Sequence, residues 1–411
     1  MRQKISLIVQ PGDSFFPIVR AIDRAERTIN LTAFRMDDPI VQRALIEAQQ
    51  RGVRIRVLIS SSARGWEERN RKLLKDAREA GIATREPAGD SKRARYHYKV
   101  MTVDDEAALV FTFNPTRENL HYTRDFGIEI YSPAITAEIN RLFDADWDDL
   151  PFVPNDSSPL LISPFNSRQK FERWLAAAEH SIQIADAKLE DPAIVKLLVH
   201  KARSGVRVRV LGDEAHGGRL PPEIAFGVVP RYKLHAKCTI VDGSAALVGS
   251  MNLRAESLDR RRELGILVDD GDVLHRLQAV FESDWERKAA AFDHSTTQVM
   301  RAGWMTPREP PESPAAGLVL LSRTNALRRH PVREGVTTIG RAQENDVVIR
   351  DALVSRYHAR ITCDALSCRI TDLASGNGTF LNGGRITETT CLRPGDVIRI
   401  ADSEEFRLLE L

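Results

Sequence analysis

His97-Tyr98-Lys99-Val100-Met101-Thr102-Val103-Asp104 and His235-Ala236-Lys237-Cys238-Thr239-Ile240-Val241-Asp242 are two copies of one pattern, H-x-K-x4-D. Residues 98–103 and 236–241 are strand-like, and strand alternation puts each His and Lys on one face. A lone His-x-Lys on a strand carries little information, but here the surroundings repeat as well. Seventeen residues after each His stands an Asn (Asn114, Asn252), and twenty-eight after it an acid (Asp125, Glu263). Upstream, residues 51–58 match 204–211, Asp38-Pro39 matches Asp191-Pro192, and Pro11 matches Pro164, all at one offset of 153. A register held over that length predicts an internal duplication of residues 5–150 and 158–288.

The chain has 411 residues, room for about three domains. Its 59 basic and 57 acidic residues nearly cancel, so no global pull toward nucleic acid or membrane follows. The four cysteines, Cys238, Cys363, Cys368 and Cys391, show no disulfide or zinc spacing, which points to a reduced, cytoplasmic protein. No run approaches the length of a membrane span, so any membrane contact is peripheral.

Each repeat reads as helix, strand, helix, strand, connection and motif strand, a pattern that predicts mainly parallel α/β sheets with helical cover. The connection is fifteen residues longer in the first repeat and includes a charged helix over 66–80. The basic stretch there, 69–95, is either a solvated helix face or an attractor for an anionic substrate. Residues 289–316 form a Pro-rich linker, and short strands broken by Gly, Asn and Asp then predict an all-β module over 317–411. The domain boundaries expected are therefore 1–150, 151–288, 289–316 and 317–411.

Two His, two Lys and two Asn converge on one site if the repeats face each other across a pseudo-twofold axis. Paired ammonium groups suit a tetrahedral phosphate, with Asn114, Asn252 and the hydroxyls of Thr112 and Ser250 as neutral donors. One imidazole attacks phosphorus and the other protonates the leaving oxygen, with Asp125 and Glu263 orienting the rings. Asp104 and Asp242 brace the motif strands. No metal or cofactor is called for, and no carboxylate or Cys lies at zinc-ligand spacing from the histidines.

Residues 1 to about 288 resemble the phospholipase D superfamily, whose signature is H-x-K-x4-D with a following Gly-Ser/Thr-x-Asn. Gly249-Ser250-Met251-Asn252 matches in full; Phe111-Thr112-Phe113-Asn114 departs at the Gly position, which puts the close packing of that strand in question. The resemblance implies duplicated α/β-sandwich halves and phosphodiester hydrolysis or transfer through a phosphohistidine. It would make His97 the nucleophile, His235 the general acid, and Lys99, Lys237, Asn114 and Asn252 the phosphate ligands.

Ile339-Gly340-Arg341, Val354-Ser355-Arg356-Tyr357-His358-Ala359 and Ser375-Gly376-Asn377-Gly378-Thr379 are similar to the blocks of a forkhead-associated (FHA) domain, a β-sandwich that binds phosphothreonine peptides. The resemblance makes Arg341, Ser355, Arg356 and Asn377 phosphate or peptide ligands and His358 a brace beneath the loops. Gly340, Gly378 and Gly383 read as turn positions that a Cβ would strain. Such a reader implies a Ser/Thr protein kinase in the same cell. Its partner is another phosphoprotein or the chain's own linker, at Thr296, Thr297 or Thr306.

Three functions stay open on these residues: a phospholipid hydrolase or phosphatidyltransferase, a metal-independent nuclease, and an idle phosphothreonine-dependent scaffold. The lipid reading draws on Leu220, Ile224, Phe226 and Val228 as an apolar wall for acyl chains or, equally, as a strand facing the core. The nuclease reading draws on the basic stretch.

Overall fold

Asp38 and Asp191 show at local scale how the duplication is built. Each accepts hydrogen bonds from two backbone amides at the start of a Pro-initiated helix, Ile40 and Val41 in one repeat, Ala193 and Ile194 in the other. Such side-chain caps satisfy donors that a helix start otherwise leaves orphaned. In the computed structural model the described residues are 4–59, 63, 65–86, 96–213, 220–229, 232–288, 314–322, 329–333, 335–363 and 367–410. They divide into two units, Met1–Thr296 and Thr297–Leu411.

The first repeat runs β1 (Lys4–Gln10), α1 (Phe16–Asp23), β2 (Thr28–Ala33), α2 (Pro39–Gln50), β3 (Arg54–Ile59), α3 (Glu67–Glu79), β4 (Ala83–Arg85), β5 (Val100–Val103), β6 (Ala107–Phe111), α4 (Arg117–His121), β7 (Thr123–Tyr131) and α5 (Pro133–Asp148). The second runs β8 (Leu160–Ser163), α6 (Ser167–Ala176), β9 (Ser181–Asp186), α7 (Pro192–Arg203), β10 (Arg207–Gly212), β11 (Ala225–Val228), β12 (Lys233–Leu234), β13 (Lys237–Val241), β14 (Ala245–Gly249), α8 (Ala255–Asp259), β15 (Glu263–Val268) and α9 (Gly271–Lys288). Strand orders are β1-β7-β6-β5-β2-β3-β4 and β8-β15-β14-β13-β9-β10-β11, the same order twice. Even the cis peptide bonds recur, at Gln10-Pro11 and Ser163-Pro164.

The sheets are mixed rather than mainly parallel. Only β2-β3-β4 and β9-β10-β11 run parallel along these paths; β1, β5, β6 and β7 and their counterparts pair antiparallel. The reason lies just after each motif strand. Asp104 and Asp242, at φ 54° and 52°, open tight turns that return the chain as a hairpin, which can only be antiparallel.

The repeats share a core between them, and the second repeat packs a further one of its own. Tyr98, Val110, Ile128 and Ile139 of the first and Ala236, Val248, Ile266 and Leu277 of the second belong to a single buried cluster. β12 of the second repeat also adds to β7 of the first, Leu234 opposite Arg124, and the bridge Tyr96↔Arg262 is its symmetry mate.

The second unit holds two sheets. The first is built from β16 (Pro314–Ser322), β17 (Arg329–Arg333), β22 (Thr379–Leu381), β23 (Gly384–Arg385), β25 (Val397–Ile400) and β26 (Glu404–Glu410). The second contains β18 (Gly335–Gly340), β19 (Val347–Val348), β20 (Ala359–Cys363), β21 (Cys368–Asp372) and β24 (Thr390–Leu392). Leu320, Ile339, Ile361, Ile370, Ile398 and Phe406 fill the space between them. β16 begins at Pro314, inside the segment read as linker. Cys363 and Cys368 form a disulfide, contrary to the reading of all four cysteines as unpaired. Five residues of separation hid it; the β20–β21 register sets the two directly opposite.

Candidate active site

The backbone places the histidines before any side chain acts. His97 donates its amide to Arg262 O at 2.8 Å, and His235 donates its own to Arg124 O at 3.1 Å. Each motif is thus clamped to the other repeat, one residue before that repeat's acid. The imidazoles follow: His97 Nδ1 lies 3.0 Å from Glu263, and His235 Nδ1 lies 3.0 Å from Asp125. Each acid expected to orient a ring is paired with the other repeat's histidine, crosswise. Both carboxylates are fully buried, while the rings keep 14% and 29% of their side-chain surface. With Nδ1 committed to a carboxylate, Nε2 is the nitrogen left for chemistry.

The lysines converge as the alternation requires. Lys99 Nζ lies 3.2 and 3.3 Å from the two ring nitrogens of His97. Lys237 donates to His235 O and reaches across to Thr112 O at 3.2 Å. Asn114 turns its Oδ1 to the amides of Phe34 and Arg35, at 3.2 and 3.0 Å, and Asn252 is buried at the equivalent place. Asp104 accepts the amides of Glu26, Arg27 and Thr28, and Asp242 those of Glu179, His180 and Ser181. These two aspartates brace the motif strands and take no part in the cleft.

Thr112 and Ser250 do not face a phosphate. Thr112 Oγ1 donates to Asp125 at 2.6 Å and accepts the amide of Phe126. Ser250 Oγ bonds the backbone of Leu264 and also supports the Glu263 carboxylate. Both hydroxyls are completely buried, in keeping with support of the motif strands rather than donation to a phosphate. The departure at Phe111 is resolved by its partner strand. In the second repeat a Cβ on Gly249 would stand 2.4 Å from Gly265 Cα; in the first, the Phe111 ring lies over Gly127 and packs on Phe113 at 4.8 Å.

Sequence reading missed a second swapped pair. Arg124 bonds Asp284 at 2.6 Å and Arg262 bonds Asp146 at 2.9 Å, each from one repeat to the other. The signal was present: an Arg precedes each acid and an Asp precedes each of Trp147 and Trp285, at the motif's own offset of 138. Phe34, also missed, packs edge-on against His97 at 5.0 Å. Residues 87–95, part of the basic stretch, lie outside the described residues, as do Thr296, Thr297 and Thr306. Ile224 is buried, and Leu220 and Phe226 pack on the second repeat's core, which favours the core-facing reading of that apolar run.

In the C-terminal unit, three loops are tied together. Arg341 donates its amide to Ser355 O at 3.0 Å and its Nε to Val354 O at 3.2 Å. Gly376 donates to Ser355 Oγ, and Asn377 Nδ2 donates to Leu353 O at 2.7 Å. A Cβ on Gly340 would lie 2.3 Å from Arg356 O, so only glycine permits this approach. His358 is the expected brace: wholly buried, it accepts the Ser355 amide at Nδ1 and donates from Nε2 to Gly378 O. Asn345, not anticipated, is buried and donates to Arg356 O.

The family described as "Cardiolipin synthase, PLD-like domain" matches residues 18–147 and 172–285, and "FHA domain" matches 337–401. The chain belongs to the phospholipase D-like family and carries an FHA domain. The transcriptional regulatory protein EmbR of Mycobacterium tuberculosis (strain ATCC 25618 / H37Rv) is 42% identical over 77 residues, 19% of this chain and only 20% of that protein. Cardiolipin synthase 1 of Bacillus anthracis is 24% identical over 356 residues, spanning 72% of this chain and 67% of the relative. The phosphatidylserine synthase structure from Haemophilus influenzae Rd KW20 superposes with a TM-score of 0.55 at 12% identity, covering 72% of this chain and 92% of that one. At that identity the superposition speaks for the fold.

Burial governs the electrostatics of the phospholipase D-like site. It pushes His97 down to about 3 and His235 to about 4, against the pull of Glu263 and Asp125. Burial likewise lowers Lys99 to about 7 and depresses Lys237. Burial opposes the charge on Asp125 and Glu263, yet the paired imidazoles and the lysines outweigh it and hold both carboxyls below their ordinary range. The site therefore holds neutral imidazoles between ionised acids, and lysines whose charge burial weakens.

Proposed function

We propose that this protein is a phospholipase D-type phosphodiesterase or phosphatidyltransferase acting on phospholipid, with its FHA domain recruiting it to phosphothreonine. The observation that carries the reading is the crossed pairing: two imidazoles, each held at Nδ1 by the other repeat's acid, with a lysine beside each.

A neutral His97 Nε2 attacks phosphorus, forming an N–P bond as the bond from phosphorus to the leaving oxygen breaks. His235 Nε2–H gives its proton to that oxygen. At its resting value His235 carries no such proton; the anionic phosphate raises the imidazole's affinity for one as it binds. In the second half-reaction His235 withdraws a proton from water or an alcohol, whose oxygen displaces His97 from phosphorus. Lys99, Lys237 and the amides of Asn114 and Asn252 hold the nonbridging oxygens, where charge accumulates. Water gives hydrolysis, and an alcohol gives phosphatidyl transfer.

Lipid is favoured over nucleic acid by the family match and by the cardiolipin synthase relative. No helix among the described residues is long and apolar enough to cross a membrane, so the protein would meet lipid at the bilayer surface. In the FHA domain, Arg341, Ser355, Arg356 and Asn377 are the proposed phosphothreonine ligands.

The test is turnover in excess chelator by wild type and His97→Ala. The substrates are mixed phosphatidylglycerol and phosphatidylethanolamine vesicles and, in parallel, single- and double-stranded DNA. Histidine-dependent phosphatidic acid or transfer products are the expected result. Cleavage of DNA alone would overturn the lipid assignment, and activity untouched by the substitution would overturn the mechanism.

A further inference from the structure

The two halves of the centre are nearly symmetric, but their rims are not. In the second repeat Arg254 and Arg261 flank α8, and both guanidinium groups are gripped by the single carboxylate of Glu256, at 3.0 and 2.6 Å. They are largely enclosed, with 23% and 12% of their side-chain surface exposed, and their Nε atoms are buried with no hydrogen-bond partner among the described residues. Lys188 completes the group. The Asp186 carboxylate accepts the amides of Lys188 and Leu253, both at 2.7 Å, and Leu253 O accepts the amides of Glu190 and Asp191. That knot holds the Lys188 loop against the segment carrying Asn252 and Arg254.

The duplication supplies its own control. The first-repeat counterparts of Lys188, Arg254, Glu256 and Arg261 are Arg35, Thr116, Glu118 and Thr123. Thr116 caps α4, and Thr123 donates to Asp125. Glu118 is further paired with Lys233 at 2.7 Å. At these four matched positions the second repeat therefore carries two positive charges more than the first, beside the equivalent ring-orienting carboxylate. Arg261 stands two residues before Glu263, in the turn that leaves α8, and close enough to Lys99 to help lower its proton affinity. Lys188 is pushed down too, first by burial and then by Arg254 and Arg261. Like charges gathered in this way favour an anion among them.

We infer that Lys188, Arg254 and Arg261 form a second anion subsite beside the histidine pair, shaped for a phosphate group other than the one being cut. This rests on the reading of the histidine pair as a phosphodiester centre. A forked guanidinium pair is suited to a phosphate, whereas an alcohol bearing no charge gains nothing from it. The second phosphate arrives in one of two ways: on the same molecule as the scissile diester, or on the acceptor alcohol. In either case the subsite makes the pseudosymmetric centre directional.

Binding can be tested without turnover. Full-length protein in an Arg341→Ala background, which silences the FHA loops, is titrated calorimetrically with phosphate and with pyrophosphate. Pyrophosphate should bind about tenfold tighter than phosphate or more. That ratio should collapse toward one in Arg254→Gln/Arg261→Gln and, independently, in Lys188→Met. A ratio near one in the parent, or a preference kept by both variants, overturns the subsite. Phosphatidyl transfer to glycerol 3-phosphate against transfer to glycerol then separates the sources. Loss of preference for the phosphorylated acceptor in the variants assigns the subsite to the acceptor; loss of the pyrophosphate preference alone assigns it to the donor molecule. Should the protein cut no lipid, the function proposed above fails while the calorimetric result still decides the subsite.

Discussion

The chain has two places suited to phosphate, built in opposite ways. In the phospholipase D-like centre, Lys99 and Lys237 are buried, their proton affinity is depressed, and ionised carboxylates stand behind the imidazoles. In the FHA domain the proposed phosphate ligand is Arg341, whose guanidinium, among the described residues, donates through Nε to a backbone carbonyl, on loops beside the exposed Leu353. On the proposed mechanism, a centre that makes and breaks a bond to phosphorus would use groups whose charge changes as substrate arrives. A reader that only holds phosphate uses a cation that cannot lose its proton.

The widest separation of the two comes from the histidines. His97→Ala should lower turnover by more than about 10⁴-fold, while the Kd for a phosphothreonine peptide, measured by calorimetry, stays at the wild-type value. His235→Ala should cost about 10²–10⁴-fold on a poor leaving group, yet much less on bis(p-nitrophenyl) phosphate, whose leaving group needs no proton. If the nitrophenyl ester instead rescues His97→Ala, the two roles are reversed. Next, Arg341→Ala should weaken phosphopeptide binding by about 10- to 100-fold, the loss of roughly 1.5–3 kcal/mol for a charge-assisted bond. Unaltered binding would move the reader's phosphate site away from Arg341.

Acidity distinguishes the sites more finely. With Lys99 at about 7, its charged form is lost as pH rises through that value, so kcat/KM should fall above about pH 7. The limb in kcat should lie higher, because bound phosphate raises the lysine. A kcat/KM profile flat to pH 9 would contradict the assignment. Asp104→Ala removes an acceptor of three backbone amides and should cost about 3 kcal/mol in denaturant unfolding. In the FHA domain, burial lowers His358, so the unfolded chain binds the extra proton first. FHA stability should therefore decline as pH falls below about 6.5, an effect that His358→Gln would flatten.

Local chemistry was legible in the sequence wherever the duplication repeated it. The motif strands, the Asp-Pro helix starts, the orienting acids and the FHA glycines could all be read because a second copy or a turn requirement marked them. The partner of each acid could not be read. Asp125 stands twenty-eight residues after His97 and Glu263 twenty-eight after His235, but the twofold relation exchanges them, and spacing along one chain carries no trace of that exchange. Arg254 and Arg261 escaped for the converse reason: with Thr116 and Thr123 opposite them, comparing the copies erases them. The Cys363–Cys368 bridge depends on hairpin register, which cysteine spacing alone does not reveal.

The crossed pairing has a bearing on how such a chain can be taken apart. Cut in the stretch between α5 and β8, the polypeptide yields two fragments, each with a histidine lacking its carboxylate and a carboxylate lacking its histidine. Neither fragment owns half an activity; each owns halves of two dyads. Recombination would restore both dyads in a single event, so the protein has the makings of a split reporter whose signal counts only completed encounters.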